Sequence, residues 1–104
     1  MLRIYPVILD TLAALRPELD RIERRDSDLG RQLRRAAASV ALNVAEGMYS
    51  RGRNRAARYH SALGSARETL ACLEVAQALY AMPVEGAVRA RLDEIIGTLV
   101  RLVA

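Results

Sequence analysis

The chain has 104 residues, of which 52% are hydrophobic, and its 16 basic residues outnumber its 12 acidic ones to give a net charge of +4. This length suits one domain, residues 1–104, and excludes a two-domain architecture. No apolar run reaches the roughly 18 residues of a membrane span, and no signal peptide is visible. We therefore expect a cytoplasmic protein with no membrane partner.

A first helix is predicted over about residues 3–24. Apolar residues recur there at steps of three and four, which places them on one helical face: Ile4, Ile8, Leu12, Leu15, Leu19 and Ile22. Pro17 interrupts this pattern, and a proline inside a helix lacks the N–H donor and clashes with the preceding turn. Because the apolar stripe continues across Pro17, we expect a kink near Arg16 rather than a break.

A second helix is predicted to begin at the capping cluster 26–28 and to end at Gly47, a typical C-terminal glycine. Its core face is apolar and consists of Leu29, Leu33, Ala36, Ala37, Val40 and Val44. Between residues 36 and 48 the polar side chains form one narrow stripe at i, i+4 and i+7: Ser39, Asn43 and Glu46. The rest of this helix is apolar around more of its girth than a lone four-helix bundle buries, which predicts contact with another copy of the chain.

The segment 49–54 is predicted to be a loop, with Asn54 capping a third helix from about Arg55 to about Ala81. The apolar stripe of that helix is Tyr59, Leu63, Ala66, Leu70, Leu73, Ala76 and Leu79 or Tyr80. Pro83 separates it from a fourth helix that reaches the end of the chain. One face of this last helix carries Val88, Leu92, Ile95, Leu99 and Leu102 or Val103.

No strand-like alternation is present, so these elements predict an all-α fold. Four amphipathic helices joined by short loops most economically form an antiparallel up-down-up-down four-helix bundle. Four small residues on the predicted helices favour close helix contacts: Ala36, Ala37, Ala41 and Gly64.

Two segments, QLRRAAASVALNVAEG at 32–47 and ALGSARETLACLEVA at 62–76, resemble the small bacterial four helix bundle proteins. That family includes proteins encoded within intervening sequences of large-subunit ribosomal RNA genes. The chain is also similar to the accessory protein of diversity-generating retroelements. The resemblance covers about residues 29–80 and rests on Gln32, Leu33, Arg34, Arg35, Ala36, Ser39, Asn43, Ala45, Glu46, Gly47, Gly64, Ser65 and Glu68.

The resemblance implies a four-helix protomer that assembles as a ring- or barrel-shaped homopentamer. For the retroelement relatives it also implies a positively charged surface that binds nucleic acid and a reverse transcriptase. These properties follow from the resemblance alone.

Positive charge is concentrated in the middle of the chain. Residues 31–67 carry eight arginines and Glu46 as the only acid, a net charge of +7. Guanidinium groups suit phosphate oxygens, and the interleaved rings of Tyr49, Tyr59 and His60 are of a kind that stacks on bases. We therefore expect a surface that binds RNA or DNA without sequence preference, formed by Arg31, Arg34, Arg35, Arg51, Arg53, Arg55, Arg58 and Arg67.

Two simpler interpretations of the same arginines stay open. The chain contains arginine but no lysine, so the basic segment is also explained as a solvated face of an arginine-only protein. Alternatively, the arginines form ion pairs between subunits with the acidic first and last helices.

No catalytic residue, metal site or cofactor is predicted. His60 is the only histidine and has no neighbouring Cys, His or acid at the spacing of metal ligands. The serines have no histidine partner that the sequence places nearby. Cys72 is the only cysteine, which excludes an intrachain disulfide, and its helical context predicts a small buried residue.

The remaining polar residues are predicted to form a structural motif: Ser39, Asn43, Glu46, Ser65 and Glu68. We expect Glu46 and Glu68 to pair with Arg34 or Arg35, or to accept hydrogen bonds from Ser39 and Asn43, because a buried carboxylate without a partner is costly.

The sequence thus favours a non-enzymatic oligomeric protein that binds nucleic acid through an arginine-rich surface. The resemblance implies an adaptor for a reverse transcriptase or for ribosomal RNA. The alternative is a protein–protein scaffold whose arginines serve subunit contacts and have no nucleic-acid role. An enzyme would need convergent polar groups in a pocket, and the chain offers only the polar stripe.

Overall fold

Five α-helices account for most of the chain in the computed structural model, which describes residues 2–104. Within these residues no strand is present, so the predicted all-α class is confirmed. The number of elements differs from the four expected, because the first predicted helix is divided in two. The helices are α1 (Ile4–Ala14), α2 (Arg16–Arg25), α3 (Ser27–Met48), α4 (Gly52–Tyr80) and α5 (Gly86–Val103).

Proline is the cause of the division between α1 and α2. Leu15 separates the two helices and keeps a near-helical backbone, with φ −76° and ψ −14°. Pro17 has no N–H to offer to the Ala13 carbonyl, and the Nε of Arg16 donates to that carbonyl instead, at 3.2 Å. The Leu19 N–H donates to the Leu15 carbonyl at 2.8 Å, so regular bonding resumes within one turn. The apolar stripe therefore continues across the junction into the same core.

α3 lies at the centre of the fold and packs against α1, α2 and α4, while α5 packs against α1 and α4. Most of the apolar girth of α3 is thereby covered within one chain. The residues that it buries are Gly30, Leu33, Ala36, Ala37, Val40, Ala41, Val44 and Gly47. Outside this core face, Ala38 is exposed and Leu42 is 66% exposed. The surface left for a second copy is consequently smaller than the sequence pattern predicts.

The junction of α2 and α3 is tied to the C-terminal end of α4. Asp26 caps α3 as predicted, its Oδ1 accepting from the Leu29 N–H at 3.0 Å. The Tyr80 hydroxyl donates to the other carboxylate oxygen of Asp26 at 2.6 Å, and this bond, followed by the cap, holds the pKa of Asp26 below its usual range. The Arg25 guanidinium lies 4.4 Å from the centre of the Tyr80 ring, a cation–π distance.

The turn between α3 and α4 is shorter than predicted. α3 continues through Gly47 to Met48, and α4 begins at Gly52. Gly52 has a φ of +57°, a left-handed conformation that glycine adopts without penalty. Asn54 lies inside α4 and caps nothing, since α4 begins directly after the extended residue Arg51. The prediction of Gly47 as a helix stop was wrong, because this glycine lies within α3 beneath the buried Tyr59 ring.

Ala81 ends α4 in a left-handed conformation, with φ 55° and ψ 37°. An L-residue with a Cβ pays roughly 1–2 kcal/mol there, which is why glycine is preferred after a helix. We expect Ala81→Gly to raise the free energy of unfolding by about 1 kcal/mol, measured by urea denaturation. Ala78→Gly is the control, because this exposed residue lies within α4 and glycine there should lower stability by about 0.5–1 kcal/mol. Equal losses in the two variants would contradict the prediction.

Candidate nucleic-acid interface

α3 and α4 run antiparallel, because early residues of α3 contact late residues of α4. Gln32 Nε2 donates to Glu68 Oε2 at 3.2 Å, and at the other end Arg58 Nε lies 3.0 Å from Glu46 Oε2. This geometry places most of the polar residues singled out in the sequence along one groove between the two helices. We call it the α3–α4 groove; it is formed by Gln32, Arg35, Ser39, Asn43, Glu46, Arg58, Ser65 and Glu68.

The middle of the α3–α4 groove is a hydrogen-bonded seam. The Ser39 Oγ accepts from Asn43 Nδ2 at 2.9 Å and from Ser65 Oγ at 2.7 Å. The Asn43 amide also donates to the Ser39 carbonyl at 2.9 Å, and the Thr69 hydroxyl donates to the Ser65 carbonyl at 2.8 Å. These half-buried groups are partnered with one another, so the seam fixes the position of α4 on α3.

The two glutamates of the predicted motif flank the seam and do not enter it. Both are exposed. Glu46 pairs with Arg58, and Glu68 accepts from Gln32. The sequence suggested that these glutamates pair with Arg34 or Arg35, or accept from Ser39 and Asn43. They form neither kind of contact. The reason is the register of the α3–α4 pair, which sets each glutamate opposite a residue of the other helix.

The eight predicted arginines are all exposed, but they differ in how they are partnered. Arg34 donates from both terminal nitrogens to the Glu23 carboxylate, at 2.7 and 2.9 Å. This contact lowers the pKa of Glu23 and raises that of Arg34, because each charge favours the other. Arg58 is paired with Glu46 at 3.0 Å, and Arg31 lies 3.6 Å from Asp28. The charges of Arg34 and Arg58 are thus largely satisfied within the chain.

The other five arginines have no carboxylate partner among residues 2–104. Arg55 donates from Nε to the Ser50 carbonyl at 2.9 Å, which leaves its terminal nitrogens unbound. Three of the five lie at the turn between α3 and α4: Arg51, Arg53 and Arg55. Arg35 lines the other end of the α3–α4 groove, and Arg67 lies on α4 beside Glu68 without lining the groove. Of the eight predicted arginines, these five are the ones available to bind an external anion.

The aromatic residues of this surface are not equivalent. Tyr49 is 88% exposed and lies beside the arginines of the turn. His60 is also exposed and lies in the first half of α4. Tyr59 is only 5% exposed, because its ring packs over Gly47 in the core. The expectation that Tyr59 stacks on bases was therefore wrong, whereas Tyr49 remains available for stacking.

The α3–α4 groove is shallow and consists of three adjoining cavities, each of which shares lining residues with the next. A cavity of about 320 Å³ lies between Gln32 and Glu68, and one of about 460 Å³ lies between Arg35 and Arg58. A third, of about 270 Å³, continues past Glu46 towards the turn. Because the groove has no enclosed space, it suits an extended chain better than a small molecule.

A second basic cluster was not predicted. Arg21, Arg24 and Arg25 of α2 line a shallow cavity with Tyr80 and Met82. The net charge of the first thirty residues does not reveal this cluster, because the acidic residues of the same segment offset the positive charge of its arginines. The spacing of these arginines at i, i+3 and i+4 on one helical face was the signal that could have found them.

The single cysteine of the chain lies where the sequence places it. Cys72 is buried as predicted, and burial raises the pKa of its thiol. Within residues 2–104, three or more side chains of His, Cys, Asp or Glu nowhere gather in an arrangement that would hold a metal ion. None of the helices described over the same residues combines the length and apolar character needed to cross a membrane.

Comparisons with known proteins identify relatives of this fold. A family model described as 23S rRNA-intervening sequence protein matches residues 17–101. A crystal structure from Bacteroides thetaiotaomicron, described as a protein with unknown function from the S23 ribosomal protein family, is similar with a TM-score of 0.82. It is 17% identical, and the match covers 96% of this chain and 97% of that one. A search of curated proteins gives no match.

Proposed function

Because the chain belongs to the 23S rRNA-intervening sequence protein family, as the sequence resemblance predicts, we propose that it is a non-catalytic helical protein that binds RNA or DNA. In this proposal the exposed arginines along α3 and α4 contact phosphates, so binding has little sequence preference. α1 and α2 together act as one kinked arm of an antiparallel four-helix bundle, and the protomers assemble into a homo-oligomer, a pentamer as the resemblance implies.

The observation that carries the proposal is the set of five exposed arginines on α3, α4 and their turn that have no carboxylate partner among residues 2–104, three of which lie beside the exposed Tyr49. Unpaired surface charge adds little to the folding stability of a bundle of this size. A guanidinium group with free terminal nitrogens, however, can donate two parallel hydrogen bonds to the oxygens of one phosphate. Assembly would repeat the set around a symmetric particle and strengthen the field that attracts a polyanion. An adaptor that holds a reverse transcriptase or ribosomal RNA would use the same surface.

Two features support assembly, one at the edge of the α3–α4 groove and one on α4. Leu42 and Ala38 form an exposed apolar strip on α3. Gly64 is exposed within α4, and a Cβ built there would meet no atom within 4 Å. Since glycine lowers helix stability by about 0.8–1.0 kcal/mol relative to alanine, and no contact within the chain requires it, a close approach by a second copy is a physical reason for Gly64.

The second candidate function is a protein–protein scaffold in which the arginines serve subunit contacts. It is favoured by Arg34 and Arg58, which already form ion pairs, at 2.7 and 3.0 Å. In that case the exposed arginines would meet the carboxylates of another copy in the same way.

Binding of a single-stranded RNA without defined sequence tests the proposal. If the five unpaired arginines of each protomer contact phosphates, log Kd should vary with log salt concentration with a slope of about 3.5 in magnitude, and about 4.5 for duplex DNA. The combined variant Arg51→Glu, Arg53→Glu, Arg55→Glu should weaken binding at least about a hundredfold and reduce the RNA slope by about 2. Fluorescence anisotropy over a salt series measures both quantities.

A matched variant reverses three exposed arginines elsewhere, at Arg3, Arg91 and Arg101, and gives the same change in net charge. It should keep most of the RNA affinity. Equal losses in the two variants would show attraction by net charge alone and contradict an interface on α3 and α4. Light scattering supplies the other comparison: if the turn variant dissociates while the wild-type protein binds no RNA at low salt, the scaffold is the function.

A further inference from the structure

A second concave site lies away from the α3–α4 groove and shares no residue with it. It has a volume of about 320 Å³ and is lined by Glu18, Arg21, Ile22, Leu73, Ala81, Met82, Pro83 and Val84. α2 forms one wall, α4 supplies Leu73, and the link between α4 and α5 forms the other wall. We call this site the Glu18 cleft. Its volume is near the lower end of the range for small-molecule pockets, roughly 300–1,000 Å³.

Glu18 gives the cleft its chemistry. Its residue is only 6% exposed. One carboxylate oxygen accepts from the Glu85 N–H at 3.3 Å, and the other, Oε2, is buried without a hydrogen-bond partner. Burial raises the pKa of the Glu18 carboxyl, against the opposing effects of the Glu85 N–H and the Arg21 guanidinium. An unpartnered carboxylate oxygen is costly to bury, so a ligand that brings a donor to Glu18 would satisfy a group that the described chain leaves unsatisfied.

Arg21 stands one helical turn beyond Glu18 on the same wall. Residues at i and i+3 have Cβ atoms about 5–6 Å apart, yet the two side chains form no ion pair within residues 2–104. Arg21 is exposed at the rim, while Glu18 lies inside. The cleft therefore presents a negative group and a positive group side by side, with apolar residues opposite them.

From this arrangement we infer that the Glu18 cleft binds a free α-amino acid with an apolar side chain. The ammonium group pairs with the Glu18 carboxylate, which turns to bring the buried Oε2 to the surface of the cleft, and the ligand carboxylate accepts from the Arg21 guanidinium. The side chain packs against Ile22, Leu73 and Val84. Ammonium and carboxylate are joined through one carbon in such a ligand, which suits two partners one helical turn apart. The inference does not depend on nucleic-acid binding.

Isothermal titration calorimetry with leucine tests this inference, with phenylalanine as a second ligand. Two analogues measure the contribution of each charged group of leucine separately. 3-Methylbutylamine lacks the carboxylate, and 4-methylpentanoate lacks the amine. Each should bind at least about tenfold more weakly than leucine, because each leaves one charged partner unbound. An amine that binds as well as leucine would overturn the role of Arg21, and an acid that does so would overturn the role of Glu18.

Variants complete the test. Glu18→Gln keeps the shape but removes the charge, and Arg21→Gln removes the rim cation; both should weaken leucine at least about tenfold. Arg24→Gln is the control, because Arg24 lies on the same helix but does not line the cleft, and it should bind as the wild type does. Thermal unfolding confirms that each variant is folded, and Glu18→Gln should melt no lower than the wild type, since a poorly partnered buried charge is removed. Absence of leucine binding to the wild type at millimolar concentration, or equal binding to Glu18→Gln, would overturn the inference.

Discussion

Gly30→Ala should lower the free energy of unfolding by up to about 2 kcal/mol, although alanine is the better helix former. A Cβ at residue 30 would lie 2.7 Å from the Glu23 Cα and 2.8 Å from its Cβ, so it would meet the backbone of α2. Backbone cannot rotate away as a side chain can, and α2 would have to move off α3. Overpacking of this kind costs typically 1–3 kcal/mol, and the gain in helix propensity offsets about 1 kcal/mol of it.

Urea denaturation followed by circular dichroism measures this loss. Gly64→Ala is the matched control, because Gly64 is also within a helix but has open space at its Cβ position. In the isolated chain Gly64→Ala should raise stability by up to about 1 kcal/mol. If Gly30→Ala is as stable as the wild type, or gains stability as Gly64→Ala should, α2 and α3 are not packed as closely as described. Weaker assembly in Gly64→Ala would place a second copy against α4.

The helical faces were predictable because they depend only on the spacing of apolar residues along the chain. The stripes of the predicted second and fourth helices are buried or half-buried as far as Leu99, and Asp26 caps α3 as expected. The division at Leu15 is a finer matter, since it depends on how the turn around Pro17 redistributes its hydrogen bonds. A pattern of side chains does not contain that information.

The glycines show where the sequence pattern fails. Gly47 resembles a helix stop because glycine is common after helices, but its partner is Tyr59, which comes within reach only when α4 packs on α3. Gly64 was predicted to support close helix contacts and makes none within the chain. Gly30 was not singled out at all. The register between helices decides all three, and a single sequence does not specify it.

The candidate site was predictable in the same partial way. The concentration of arginine in residues 31–67 identified the surface, but which arginines are neutralised depends on contacts between helices, such as that of Arg34 with Glu23. Glu18 was overlooked, although it lies three residues after Leu15 and four before Ile22 and so shares their apolar face. A charged residue on a buried stripe was the available signal for the Glu18 cleft.

Gly47→Ala should lower the free energy of unfolding by about 1–3 kcal/mol through a collision with one aromatic ring. A Cβ at residue 47 would lie 2.7 Å from the Tyr59 Cδ1 and closer still to Cε1. Because Tyr59 is buried between α3 and α4, its ring has little room to turn aside. The loss should therefore depend on the size of the side chain at residue 59.

A double-mutant cycle with Tyr59→Leu measures that dependence. Leucine lacks the ring atoms that a Cβ at residue 47 would strike, so the double variant should be more stable than the sum of the single losses predicts, by about 1 kcal/mol or more. Gly47→Ala combined with Leu63→Val is the control. Leu63 is buried on α4 as Tyr59 is, but it supplies none of the atoms nearest to a Cβ at residue 47, so the losses of these two variants should add. If the losses in the cycle with Tyr59 also add, the cost of Gly47→Ala does not come from the Tyr59 ring. Glycine would then be needed for the backbone conformation at the end of α3.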